Sequence, residues 1–126
     1  MSKISFYKYI FYLSVFILIT LSIYPGNLIG LILWGDDTTF PGSDKLHHFL
    51  SYLVVSILGF LAYREKIFFN RLYFFLFFLA FILELLQIWI PNRYFELLDM
   101  FCNFSGVMIA LGINKLLLYK NKNDII

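Results

Sequence analysis

Residues 68–93 read FFNRLYFFLFFLAFILELLQIWIPNR. From Phe68 to Ile90 the run is long and apolar enough to cross a bilayer, because about 20 residues at 1.5 Å each cover about 30 Å of hydrocarbon. Pro91 stops it, as a helix-terminating residue should. Yet the run holds a carboxylate, Glu84, and an amide, Gln87. A charged side chain deep in a bilayer costs about 2.5–3.5 kcal/mol on insertion scales, so its default reading is a functional site. A carboxylate at that depth should be paired or protonated.

The rest of the chain has the same character. It has 126 residues, 61% hydrophobic and 21% aromatic, and only 14% are charged. A soluble domain needs about 25% charged residues. Three further spans are legible: Ile4 to Tyr24, stopped by Pro25-Gly26; Lys45 to Tyr63; and Leu98 to Leu118. Backbone groups in lipid must bond within their own segment, which leaves an all-α, four-helix membrane protein as the expected fold. A single domain over residues 1–126 is expected, with its polar motifs between 44 and 112. The first span follows a short basic start but lacks a small-x-small cleavage site, so it reads as a retained anchor. Residues Leu28 to Trp34 are too few to span and should lie along the surface or dip into it. Cys102 is the only cysteine, which excludes an internal disulfide, and with no adjacent base it reads as a packed small residue.

Basic residues set the expected orientation. With the N-terminus inside, Lys3, Lys8, Arg64, Lys66, Arg71, Lys115, Lys120 and Lys122 face the cytoplasm, and only Lys45 and Arg93 face outward. That bias predicts both termini inside. The same topology gathers two polar strings at the outer face: Asp44-Lys45-x-x-His48, and Glu84-x-x-Gln87 continuing through Pro91, Arg93, Asp99, Asn103 and Gly106. Glu84, seven residues before Pro91, falls about 10 Å below the boundary.

Helical spacing sorts these residues onto faces. Asp44, His48 and Tyr52 form one stripe; Ala80, Glu84 and Gln87 a second; Asp99, Asn103, Gly106 and Ala110 a third. The small pair Gly106 and Ala110 lets two helices approach closely in lipid. The first helix offers only Ser14, Thr20 and Ser22 and is expected at the periphery. The stripes predict one cluster, with Arg93 in salt-bridge reach of Glu84 or Asp99.

Each residue also has a structural reading. Asp44 and Asp99 can complement helix N-termini, Lys45 can snorkel to the interface, and Asn103 can join helices. His47 stands beside His48, and the Asp44–Tyr52 stripe favours His48. Trp34 and Trp89 suit an interface. Asp44, His48, Glu84 and Asp99 have metal-ligand chemistry, but without a fixed short spacing they make a weak signal, so no metal and no cofactor are expected.

In their order, Asp-Lys-x-x-His, Glu-x-x-Gln, Pro-x-Arg and Asp-x-x-x-Asn-x-x-Gly resemble the VanZ-like family of small bacterial membrane proteins. The resemblance covers Asp44 to about Gly112. It departs in the bulky Tyr94-Phe95 pair and the added acid Glu96 after the arginine, which bear on the shape of that loop. It implies a multi-pass protein of the bacterial cytoplasmic membrane; the family's namesake is associated with resistance to teicoplanin, a lipid-bearing glycopeptide.

Two function classes stay open. One is a membrane enzyme acting on a lipid-linked or amphipathic substrate, with His48, Glu84 and Asp99 as catalytic candidates. Lys45 and Arg93 would then hold an anionic headgroup, and Asp44, Gln87 and Asn103 would bind or orient. The other is a non-catalytic accessory protein whose cluster fixes the fold or holds a ligand. A proton-coupled exporter is weaker, because the polar groups crowd one face instead of lining a path across. Membrane lipids and a lipid-linked or lipoglycopeptide ligand are the expected partners, and nucleic acid is not. Whether a reaction occurs, and whether the chain oligomerises, are left open by the residues.

Overall fold

The computed structural model describes residues 2–38, 44–64 and 66–123. The side chains of Lys66 and Lys122, counted in the charge tally, lie outside the described residues, as do residues 1 and 124–126 of the expected single domain. Five α-helices are present among the described residues: α1 (Lys3–Ile23), α2 (Leu28–Trp34), α3 (Lys45–Ala62), α4 (Lys66–Leu86) and α5 (Leu97–Asn123). All but α2 are long and apolar enough to cross a membrane. The protein is a multi-pass helical membrane protein, as its composition predicts.

The helix ends follow local chemistry. The Ser2 side chain caps α1 by accepting from the Ser5 amide at 3.2 Å, which satisfies one of the donors a helix start leaves open. At the other end Pro25 cannot extend the ladder. Asn27 caps α2 in the same way, through the Gly30 amide at 2.9 Å. The third span is slightly shorter in α-helical form than its apolar run: α4 ends at Leu86 and tightens into a single 3₁₀ turn, Gln87–Trp89. A turn follows in which the Arg93 amide donates to the Ile90 carbonyl at 3.2 Å. Pro91 occupies its second position and Asn92, at φ 59°, its third. That pairing suits a type II turn, where asparagine tolerates the left-handed conformation.

The helix pair α3 and α5 makes the most extensive contact in the bundle. Gly106 allows it. A Cβ at that position would stand 2.5 Å from the Phe49 carbonyl oxygen and 2.9 Å from the Leu53 nitrogen. In lipid no hydrophobic force separates helix from solvent, so close backbone approach and packing supply the association. Val107 and Ala110 continue the buried strip on α5. The first helix packs on α3 through Phe11, Val15 and Leu18, and α4 contributes Leu72, Leu76, Ala80 and Leu83 to the same core.

The outward surface is hydrocarbon. Phe74 is 75% exposed, and Phe16, Phe78, Leu116 and Trp89 are also exposed. A soluble monomer rarely shows contiguous apolar surface of that extent, whereas lipid covers it without cost.

Candidate functional site

The three stripes meet at one end of the bundle, where α1 and α4 finish and α3 and α5 begin. Glu84, Gln87, Asp99 and Asn103 are all buried there, with Glu84 only 1% exposed. Each gets its position from its helix. Asp99 lies in the first turn of α5, and Asn103 one turn later. Glu84 sits one turn before the 3₁₀ segment, with Ala80 fully buried below it. Asp44 is the residue just before α3, but its side chain caps no amide. It turns to His48 instead, with Oδ2 3.4 Å from Nε2. Asp44 thus stands at the N-terminus of α3, where its charge suits the helix dipole, while its carboxylate also contacts His48.

His48 is the hub. Its Nδ1 lies 3.0 Å from Asn103 Oδ1, and its Nε2 lies 3.7 Å from Asp99 Oδ2. Glu84 Oε2 is 3.9 Å from Nδ1 and accepts a long bond from Asn103 Nδ2 at 3.4 Å, while its Oε1 accepts from the Glu96 amide at 3.3 Å. His47 is exposed at the rim of the cavity, in line with the preference for His48.

The two cations are placed differently from expectation. No ion pair within 4 Å joins Arg93 to Glu84 or Asp99 among the described residues. Arg93 instead donates Nε–H to the Tyr24 carbonyl at 3.1 Å and an Nη2 proton to the Leu21 carbonyl. The turn at Pro91-Asn92 aims it there, and the last carbonyls of α1 lack amide partners of their own. Lys45 makes the ion pair with Asp99 that was expected of Arg93. Its Nζ lies 2.9 Å from Asp99 Oδ1 and 2.6 Å from Glu96 Oε2. Glu96 was not among the site candidates, although its place just before α5 put it at the same end as Lys45. The carbonyl clamp on Arg93 has no side-chain signal to read.

The first helix is thus more than peripheral packing. Its hydroxyls do return to its own backbone, Ser14 to the Phe11 carbonyl, Thr20 to Phe16 and Ser22 to Leu18. Its C-terminal end nonetheless anchors Arg93, and Leu18, Leu21 and Ser22 wall a cavity.

That cavity has a volume of about 100 Å³ and is bordered by Asp44, His48, Tyr52, Glu84, Gln87, Arg93 and Asn103. Tyr52 is 2% exposed and its hydroxyl has no hydrogen-bond partner among the described residues. Below the cavity, between α1 and α3, runs an apolar groove of about 310 Å³ lined by Ile17, Leu50, Val54 and Val55. Leu18, Leu21 and Ser51 border both spaces. Outside the spans, the hydrogen bond from His48 holds the Asp44 carboxyl below its ordinary range. Burial lowers the Arg93 guanidinium from its usual value, and the charges of Asp44, Glu84 and Asp99 oppose that shift.

Fold and site together define a small polytopic membrane protein with one carboxylate-rich cavity at one end of its helical bundle. The model of the VanZ/LLP1 family matches residues 5–118, and the chain belongs to that family. No curated protein and no solved structure matches the chain.

Proposed function

We propose that this protein binds, or acts on, an amphipathic lipid-linked molecule at the outer leaflet of the bacterial cytoplasmic membrane, with both termini in the cytoplasm. The observation that carries the reading is that a polar cavity and an apolar groove lie side by side, sharing Leu18, Leu21 and Ser51 as lining residues. A molecule with a polar head and a hydrocarbon chain matches that pair of spaces. The head would meet Asp44, His48, Glu84, Gln87, Asn103 and the Arg93 guanidinium, and the chain would lie against Ile17, Leu50 and Val54.

In an enzymatic version, His48 or Glu84 exchanges a proton with the substrate, Asp99 tunes the imidazole, and Lys45 and Arg93 hold an anionic head. The VanZ-like resemblance connects such a site with resistance to lipid-bearing glycopeptides such as teicoplanin. A non-catalytic accessory role is favoured by one specific observation: Lys45 and Arg93 are both engaged in joining helix ends.

Val54 and Leu50 face the groove and are partly exposed, so widening them leaves the core alone. Val54→Trp should abolish co-purification of lipid-linked material, read by native mass spectrometry, while the protein still accumulates in the membrane. Unchanged lipid retention would contradict the reading. Reporter fusions at Asn27 and Arg93 should register outside and one at Asn123 inside; the reverse pattern would move the cavity to the cytoplasmic face.

A further inference from the structure

We propose that Asp44, His48 and Asp99 form a binding site for a divalent transition-metal ion of the manganese or zinc kind, with its remaining coordination positions open to the cavity. One ligand atom from each residue lies within 4.8 Å of the others. His48 Nε2 is 3.4 Å from Asp44 Oδ2 and 3.7 Å from Asp99 Oδ2. Ligands about 2.1 Å from a common ion lie about 3–4.2 Å apart, so a small movement inward completes the set.

The imidazole is oriented for this task. The Asn103 nitrogen lies 3.4 Å from Glu84 Oε2, and the Asn103 oxygen faces His48 Nδ1 at 3.0 Å. An ion on Nε2 would take the place of the Nε2 contact with Asp44 and leave the ring proton on Nδ1, against the Asn103 oxygen. A hydrogen-bonded far nitrogen and a free near nitrogen is the arrangement that metal-binding histidines adopt. Lys45 occupies Oδ1 of Asp99 and leaves Oδ2 on the His48 side.

Carboxylates crowd this end, where Asp44, Glu84, Glu96 and Asp99 stand with Lys45 and His48. The buried Tyr52 hydroxyl, without a hydrogen-bond partner among the described residues, borders the same cavity as Asp44 and His48. Two oxygens and one imidazole nitrogen are ligands for manganese or zinc and poor ones for soft, thiolate-seeking ions.

The rival arrangement is a protonated His48 bracketed by the same carboxylates, with no ion. Purified full-length protein in nanodiscs, freed of metal by chelator, is titrated with Mn²⁺ followed by electron paramagnetic resonance and with Zn²⁺ followed by calorimetry. Saturable binding of one ion per chain is expected, weakened at least tenfold in both Asp44→Asn and His48→Gln. Asp44 is about a third exposed and caps nothing, so Asp44→Asn keeps the fold and carries the test if His48→Gln does not accumulate. Absence of saturable binding to the unaltered protein, or unchanged affinity in the folded variants, overturns the proposal. Val54→Trp, which blocks the groove, should leave ion binding intact, so failure of the lipid reading and failure of the metal reading are separable.

Discussion

The two ends of this bundle solve the same packing problem with opposite materials. At the end where α3 finishes, Phe11 meets Tyr63 edge-on with centroids 6.0 Å apart, the Tyr12 and Tyr63 hydroxyls bond to each other, and Lys8 lies over the Tyr63 ring at 5.1 Å. Deeper in, Phe60 packs on Tyr73 and Phe77 on Phe104. At the other end Asp44, Glu84 and His48 border a cavity, with Asp99 and Glu96 beside them on Lys45. The aromatic end fills its space with rings. The polar end gives up packing to hold charged groups at a depth where each is expensive. That difference is expected when one end serves stability and the other serves a ligand, since functional sites commonly reduce stability.

The comparison can be broken at several points. The largest effect is expected at neither end but at the α3–α5 contact that carries both. Gly106→Val places atoms against the Phe49 and Leu53 backbone, which cannot move aside, and should cost about 3 kcal/mol, seen as loss of folded protein in a detergent melt. Next comes Lys45→Met. It leaves the buried Asp99 carboxylate without its cation, and because Lys45 itself is about a quarter exposed the loss should be about 1–2 kcal/mol. Combining it with Asp99→Asn should recover most of that loss in a double-mutant cycle. Arg93→Lys should free the end of α1, since a single ammonium cannot reproduce two fixed donors to the Leu21 and Tyr24 carbonyls. Faster hydrogen exchange at residues 21–27 would show it. The smallest effect is expected at the aromatic end: Tyr12→Phe removes an exposed hydroxyl pair and should change stability by under about 0.5–1 kcal/mol. A Tyr12→Phe loss exceeding that of Lys45→Met would invert the comparison.

Much of this was legible in the residues. Long hydrocarbon runs, two of them stopped by Pro25 and Pro91, gave the four spanning helices, because lipid leaves the backbone no alternative. Periods of three and four placed Glu84 with Gln87 and Ala80, and Asp99 with Asn103, Gly106 and Ala110, on the buried faces they occupy. Pairing was harder to read. Arg93 was expected against Glu84 or Asp99, but side-chain spacing does not report orphan carbonyls, and the turn at Asn92 directs Arg93 to the end of α1. Lys45 then takes Asp99, with Glu96 as an additional partner that lies in the loop, outside any helical period. The α1–α3 groove was also hidden, because it arises between two helices whose facing residues are ordinary apolar side chains.

Glu84→Gln separates a charged end that exists for a ligand from one that exists for the fold. Glutamine keeps the size of the side chain and one acceptor for the Glu96 amide, and it removes the ionisable carboxyl. Thermal stability of the purified variant is measured beside retention of co-purifying lipid. The account predicts a Tm that holds or rises while lipid retention is lost. A fall of more than about 4 °C, which corresponds to about 1 kcal/mol in a small domain, with lipid retention unchanged, would show that Glu84 secures the bundle and would contradict the account.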